Sequence, residues 1–190
     1  MSSQRATFLT PEEYLELERR AERRSEYYKG EMFAMAGASR RHVLIVTNLV
    51  SALSQKLRKR PCEVYSTDMR LNVSPSGLYT YPDVLVACGE PQFADDRQDT
   101  LLNPVLIVEV LSESTQDYDR GRKFEHYRTL PSLAEYLIVA QDHPHIEHYT
   151  RQNGGWQLAD CDDLTQSIHL ASIDTILPVA EVYDKVDFDH

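Results

Sequence analysis

The run Val105-Leu106-Ile107-Val108-Glu109-Val110-Leu111 is apolar on both faces of an extended strand, with one carboxylate near its middle. β-branched residues fill it and Asn103-Pro104 precede it as turn residues. Such a strand is central in a sheet covered on both sides, which restricts the chain to layered architectures. A second run, Asp83-Val84-Leu85-Val86-Ala87-Cys88, opens on an acid directly after Pro82. Burying a carboxylate is costly unless a cation or hydrogen bonds offset its desolvation. Asp83 and Glu109 are therefore the first places to look for chemistry, and one divalent cation would compensate both.

The surrounding pattern supplies the other layers. Thr10-Pro11-Glu12-Glu13 is a helix start: Thr10 caps, Pro11 suits the first turn and Glu13 completes a capping box. Tyr14, Leu17 and Ala21 share a face, and Glu18, Arg19, Arg20, Glu22, Arg23 and Arg24 read as solvated. Tyr27-Tyr28, the turn Lys29-Gly30 and residues 31–35 predict a hairpin. From Ser39 or Arg40, residues Val43, Val46, Val50, Leu53 and Leu57 recur at helical steps, Ile45, Leu49 and Ala52 widen the stripe, and Lys59-Arg60-Pro61 ends it. Strands follow at 63–66 and 69–73 (one strand or a bent pair), 81–88 and 105–111. A helix over about 119–130 leads to a strand at 135–140. Asn153-Gly154-Gly155 joins 146–151 to 156–159 as a hairpin, and two short strands fall near 168–170 and 173–177. The order predicts a single α/β domain over residues 1–190 with a mixed sheet, in which 105–111 and 135–140 run parallel across a right-handed crossover.

Composition bounds the function. No apolar run approaches the roughly 20 residues of a membrane span, and Met1-Ser2-Ser3-Gln4-Arg5 shows no signal-peptide core. Cys62, Cys88 and Cys161 lack metal-ligand spacing and read as reduced thiols of a cytoplasmic protein. The net charge of −10 opposes a chain that grips nucleic acid over its whole surface, but leaves room for a local basic groove. The sequence has no glycine-rich phosphate loop and no serine or cysteine nucleophile arrangement.

Alternation puts Asp83 on one face with Leu85 and Ala87, and Glu109 with Ile107 and Leu111. If the two strands are neighbours in register, the acids converge. Hard oxygen donors of this kind suit Mg²⁺ or Mn²⁺ with water completing the shell, and an ion held there polarises a phosphodiester. Lys123, beside the stripe Phe124, Tyr127 and Leu130, is the candidate to stabilise developing phosphate charge. Arg120, Arg122 and Arg128 flank it, and with Arg40 and Arg41 they are candidates for contacts to a phosphate backbone.

Three segments carry a resemblance: Tyr81-Pro82-Asp83-Val84-Leu85-Val86, then residues 102–112 around Glu109, then Tyr118-Asp119-Arg120-Gly121-Arg122-Lys123-Phe124-Glu125-His126-Tyr127. Together with Thr10-Pro11-Glu12-Glu13-Tyr14, Tyr28-Lys29-Gly30-Glu31 and Pro131-Ser132-Leu133-Ala134-Glu135-Tyr136, they resemble the Uma-type family of bacterial restriction-endonuclease-like proteins in the PD-(D/E)XK nuclease superfamily. The resemblance covers nearly the whole chain. It implies a restriction-endonuclease-like core, a central mixed β-sheet flanked by helices, here with an N-terminal helix-hairpin and a C-terminal β-hairpin added. It implies that Asp83 and Glu109 are metal-binding acids of an Mg²⁺- or Mn²⁺-dependent endodeoxyribonuclease that leaves a 5′-phosphate. By analogy, the partner is DNA or another nucleic acid and the enzyme is a homodimer. Nucleases of this fold often bring in a further acid from upstream, for which Glu31 and Asp68 are the candidates. The superfamily lysine expected two residues after the second acid is Leu111 here; Lys123 is the migrated substitute.

Blander readings exist for each residue. Asp83 could terminate its strand. Glu109 could form a structural ion pair with Arg70 or Lys123. His42 and Asn48 read as ordinary helix residues, and His143, His145 and His148 as a solvated loop. Tyr79 and Tyr81 read as edge-strand packing before base stacking. A catalytically inactive module that binds nucleic acid or a protein partner is the alternative to an enzyme.

Overall fold

The two acid-bearing runs become adjacent strands. The computed structural model describes residues 8–111 and 119–188. In chain order its elements are α1 (Pro11–Glu18), β1 (Ser25–Tyr28), β2 (Glu31–Ala34), α2 (Arg40–Leu57), β3 (Cys62–Ser66), β4 (Arg70–Val73), β5 (Leu78–Thr80), β6 (Val84–Cys88), β7 (Thr100–Leu101) and β8 (Leu106–Val110). A π-helical turn (Asp119–Lys123) then runs into α3 (Phe124–Tyr127), followed by β9 (Glu135–Val139), β10 (Ile146–Gln152), β11 (Gly155–Cys161), β12 (Ser167–Leu170), a 3₁₀ turn (Ala171–Ile173), β13 (Thr175–Pro178) and α4 (Val179–Val182).

A six-stranded sheet in the order β11-β10-β9-β8-β6-β3 forms the centre. β8 pairs antiparallel with β6 and parallel with β9, so the sheet is mixed and β8 is interior, as its two-sided apolarity requires. One face is covered by α2, α4 and the β12–β13 hairpin, whose Ile45, Leu49, Leu53, Leu177 and Val182 pack on Val84, Val86, Val108 and Val110. The other face meets a five-stranded sheet, β2-β1-β5-β4-β7, together with α3; Leu71, Leu101 and Tyr127 pack there on Leu85, Ala87, Ile107 and Leu111. α1 closes the far side of the second sheet, with the Tyr14 ring 4.9 Å from that of Tyr27 and 5.5 Å from that of Tyr79.

The second sheet corrects several expectations. Residues 63–73 are not one strand: β3 lies in the central sheet, and the chain changes sheets at Thr67-Asp68-Met69 to enter β4. The strand expected over 81–88 starts only at Val84. β5 belongs to the second sheet, and Tyr81-Pro82-Asp83 carries the chain into β6, because Pro82 has no N–H with which to continue a ladder. Lys29 (φ 49°) and Gly30 (φ 92°) make the β1–β2 turn, the left-handed pair that a two-residue hairpin requires. Thr10 and Glu13 form the capping box of α1. That helix stops at Glu18, which is buried rather than solvated and accepts from Ser25 N–H at 2.9 Å and Tyr81 Oη at 3.0 Å. Leu17 on α1 is about half exposed, and so is Val43 on α2, whose buried stripe runs instead through Ile45 and Leu49. Among the described residues, no helix is long and apolar enough to cross a membrane.

Cys62 and Cys88 stand directly opposite each other in the β3–β6 register and are joined in a disulfide; Cys161 is buried and free. This overturns the reading of three reduced thiols, and cysteine usage no longer speaks for a reducing compartment. The pairing follows from the register: cross-strand neighbours sit close enough for their side chains to meet. Thiol titration of the denatured, unreduced protein is expected to count one reactive cysteine, rising to three after reduction; three before reduction would contradict the bond.

Candidate active site

Asp83 and Glu109 come from neighbouring segments of the central sheet, Asp83 just before β6 and Glu109 within β8. Val84 pairs with Val108, and the same antiparallel register carried one residue further sets Asp83 opposite Glu109. Within β8, Glu109 alternates onto the face of Ile107 and Leu111; Asp83, just before β6, reaches His42 of α2, the helix that covers the other face. Both acids are buried, at 8% and 3% exposure. Asp83 Oδ2 accepts the Val110 N–H at 2.8 Å and lies 3.1 Å from His42 Nε2. Asp83 thus caps the end of its neighbour strand instead of merely terminating its own.

Glu109 is held from the α3 side. Its Oε1 accepts from the Tyr127 hydroxyl at 2.6 Å and from Lys123 Nζ at 3.2 Å. Lys123 ends the π-helical turn and is buried, with its ammonium also 3.2 Å from Glu26 Oε1. Burial, with the Glu109 charge added to it, pushes the Tyr127 hydroxyl well above its usual pKa, so it stays a donor. Glu26 in turn accepts from Thr80 Oγ1 at 2.5 Å. The ion pair foreseen as the bland explanation of Glu109 is therefore formed, with Lys123. Arg70 instead donates to Tyr81 Oη at 2.9 Å and Thr100 Oγ1 at 3.0 Å.

Other candidates lie elsewhere. Asp68 is at the surface, ion-paired to Arg24, and Glu31 is exposed on β2. The upstream acid that reaches Lys123 is Glu26, which the sequence reading passed over. Its signal was alternation: in β1, Ser25 and Tyr27 take one face while Glu26 and Tyr28 take the other, and Tyr28 packs on the core next to α3. His42 was read as an ordinary helix residue, but it reaches Asp83. Arg40 is exposed and Arg41 half-buried in the first turn of α2, Arg122 is exposed beside Lys123, and the side chain of Arg120 lies outside the described residues. Of the three histidines read as a solvated loop, His143 and His145 lie in the loop before β10 and His148 does not. His148 is on β10 and lies 2.8 Å from Glu135 Oε1, His145 pairs with Asp162, and exposed His143 lies 2.7 Å from Asp142.

The donor set can be tested against a metal on its own chemistry. Among the described residues, no group of three or more His, Cys, Asp or Glu could hold an ion. Mg²⁺, however, commonly takes one or two carboxylates, several waters and the oxygens of a substrate phosphate. Two buried carboxylates in register at a sheet end fit that mode.

The chain belongs to the Uma2 family, whose description is "Putative restriction endonuclease" and whose model matches residues 11–180. It is 43% identical over 143 residues to "Uncharacterized protein sll1609" of Synechocystis sp. (strain ATCC 27184 / PCC 6803 / Kazusa), covering 75% of this chain and 81% of that protein. It is 35% identical over 182 residues to "Uncharacterized protein slr1290" of the same organism, covering 95% and 94%. Its fold matches the crystal structure of "a putative nuclease belonging to DUF820" from Anabaena variabilis ATCC 29413, with a TM-score of 0.74, 16% identity and coverage of 92% of this chain and 97% of that one. The restriction-endonuclease-like architecture expected from the sequence is the architecture found.

Proposed function

We propose that this chain is a metal-dependent endodeoxyribonuclease with its site at Asp83, Glu109 and Lys123. The observation that carries the reading is the buried meeting of Lys123 with Glu109, one register position across from Asp83. Asp83 and Glu109 would hold Mg²⁺ or Mn²⁺, which supplies Lewis acidity toward a phosphodiester and a bound water of lowered pKa. The protein's own part is positioning and charge. Tyr127 fixes the Glu109 carboxylate, Glu26 steadies the Lys123 ammonium, and that ammonium offsets negative charge as it builds on the phosphate oxygens. Arg122 and Arg40, both exposed, would grip flanking phosphates. Water adds to phosphorus and the P–O3′ bond breaks, leaving a 5′-phosphate and a 3′-hydroxyl. Cutting both strands of a duplex calls for two copies about a two-fold axis.

A second reading, a nuclease-fold module that binds without cutting, is favoured by the sharing of Lys123 between two carboxylates. Supercoiled plasmid separates the two. The nuclease is expected to convert it to nicked circle with Mg²⁺ or Mn²⁺, to stop in excess EDTA, and to lose the activity in Asp83→Ala. Nicking that survives both EDTA and Asp83→Ala would sink the nuclease reading, and retention of DNA on a gel with no nicking under any metal would establish the binding module instead.

A further inference from the structure

We propose that His42 is a positioning residue for the cation site: it sets which oxygen of Asp83 faces the metal. The inference rests on the reading of Asp83 as a metal ligand. Ser39 caps α2 by accepting the His42 N–H on its Oγ at 3.1 Å. That pins the backbone of His42 in the first turn of an 18-residue helix locked into the core by Ile45 and Leu49. The imidazole is mostly buried, its side chain 14% exposed, and Nε2 lies 3.1 Å from Asp83 Oδ2. An ionised carboxylate can only accept, so the proton of this contact is on Nε2.

The same oxygen accepts the Val110 N–H at 2.8 Å. Two donors on Oδ2, one from the helix on one side of the sheet and one from the neighbouring strand, fix both the side-chain torsion and the carboxylate plane. Among the described residues, Oδ1 receives no hydrogen bond. It is the atom left for the cation. His42 therefore acts at one remove, as partners of metal-binding groups do: it orients the ligand and keeps Oδ2 engaged.

The test is calorimetric titration of Mn²⁺ into the full chain, without DNA. His42→Phe keeps a ring in the same space and removes the donor. His42→Asn, whose amide stops short of Asp83, removes the donor without depending on the ring fit, and serves if the phenylalanine does not fold. His42→Gln keeps an N–H at about the reach of Nε2. The expected result is a Kd for Mn²⁺ weakened about ten- to a hundredfold by Phe or Asn, largely restored by Gln, with unchanged thermal unfolding of the metal-free protein for any variant compared. A merely structural role would lower the melting temperature and leave affinity alone. Wild-type binding that Asp83→Ala abolishes and His42→Phe or His42→Asn leaves intact overturns the role of His42 while the metal reading stands. Wild-type protein that takes up no Mn²⁺ overturns both.

Discussion

Glu109→Gln is expected to lower plasmid nicking at least about a thousandfold, equivalent to roughly 4 kcal/mol of barrier, while leaving the fold as stable as the wild type or slightly more so. The opposite directions follow from the charges that meet at Lys123. The described cluster holds two carboxylates, Glu26 and Glu109, around one ammonium, Lys123. Glutamine keeps the volume and keeps an acceptor for the Tyr127 hydroxyl. It removes the negative charge of a buried carboxylate that lies around the same ammonium as Glu26, so less charge is buried. Catalysis loses a cation ligand and the partner that aims Lys123. Lys123→Met should behave differently. It too stops nicking, but it takes the ammonium away from the buried Glu109 and the partly buried Glu26, and unfolding should become easier by about 3 kcal/mol or more. Nicking rates and thermal melts on the two variants decide the matter. Glu109→Gln with activity within tenfold of wild type would show the Glu109–Lys123 pair to be a brace for the fold and nothing more.

What could be read beforehand and what could not differ for physical reasons. β8 was legible because a strand apolar on both faces has few places to go, and its parallel pairing with β9 followed from the intervening helical segment. The face of Glu109 within β8 was legible because alternation in a strand is strict. The partition into two sheets was hidden because a strand that changes sheets keeps its alternation across the crossing; the marks at Thr67-Asp68-Met69 and Tyr81-Pro82-Asp83 are those of any bend. Glu26 was missed because β1 spans four residues, too short for periodicity to stand out, and because Arg23 and Arg24 precede it like the polar end of a helix. His42 was missed because its partner Asp83 is 41 positions away; no local pattern encodes a contact between a helix start and a strand start. The disulfide was missed because its cysteines acquire meaning only once β3 is paired with β6.

A second large effect is expected far from the candidate site, at Glu135. The register sets Glu135 beside Leu106 and Ile138 beside Glu109, so Glu135 lies about 10 Å along the strand from the Glu109 level. It is 1% exposed. Its carboxylate lies 2.8 Å from His148 Nε2 and accepts the Ser172 N–H at 2.8 Å, the Ala171 N–H at 3.2 Å and the Ser172 hydroxyl. One side chain thus ties β9 to β10 and to the 3₁₀ turn that precedes β13. Glu135→Ala strands several donors in the interior at once, and each unsatisfied buried group costs about 1–3 kcal/mol; with partial relaxation, a loss of about 3–5 kcal/mol in urea unfolding is expected. The acid limb carries a second signature. Burial pushes the Glu135 pKa up, but the bonds from His148 and Ser172 outweigh it and hold the carboxyl below its ordinary value. A carboxyl depressed in the folded state stabilises the fold above its unfolded pKa, about 4.3 for glutamate, and that contribution disappears as pH falls through the lower folded value. Wild-type stability should therefore drop with acidification more steeply than that of Glu135→Gln. Parallel acid limbs for the two proteins would mean that the carboxylate charge contributes nothing, and that the hydrogen bonds alone hold this corner together.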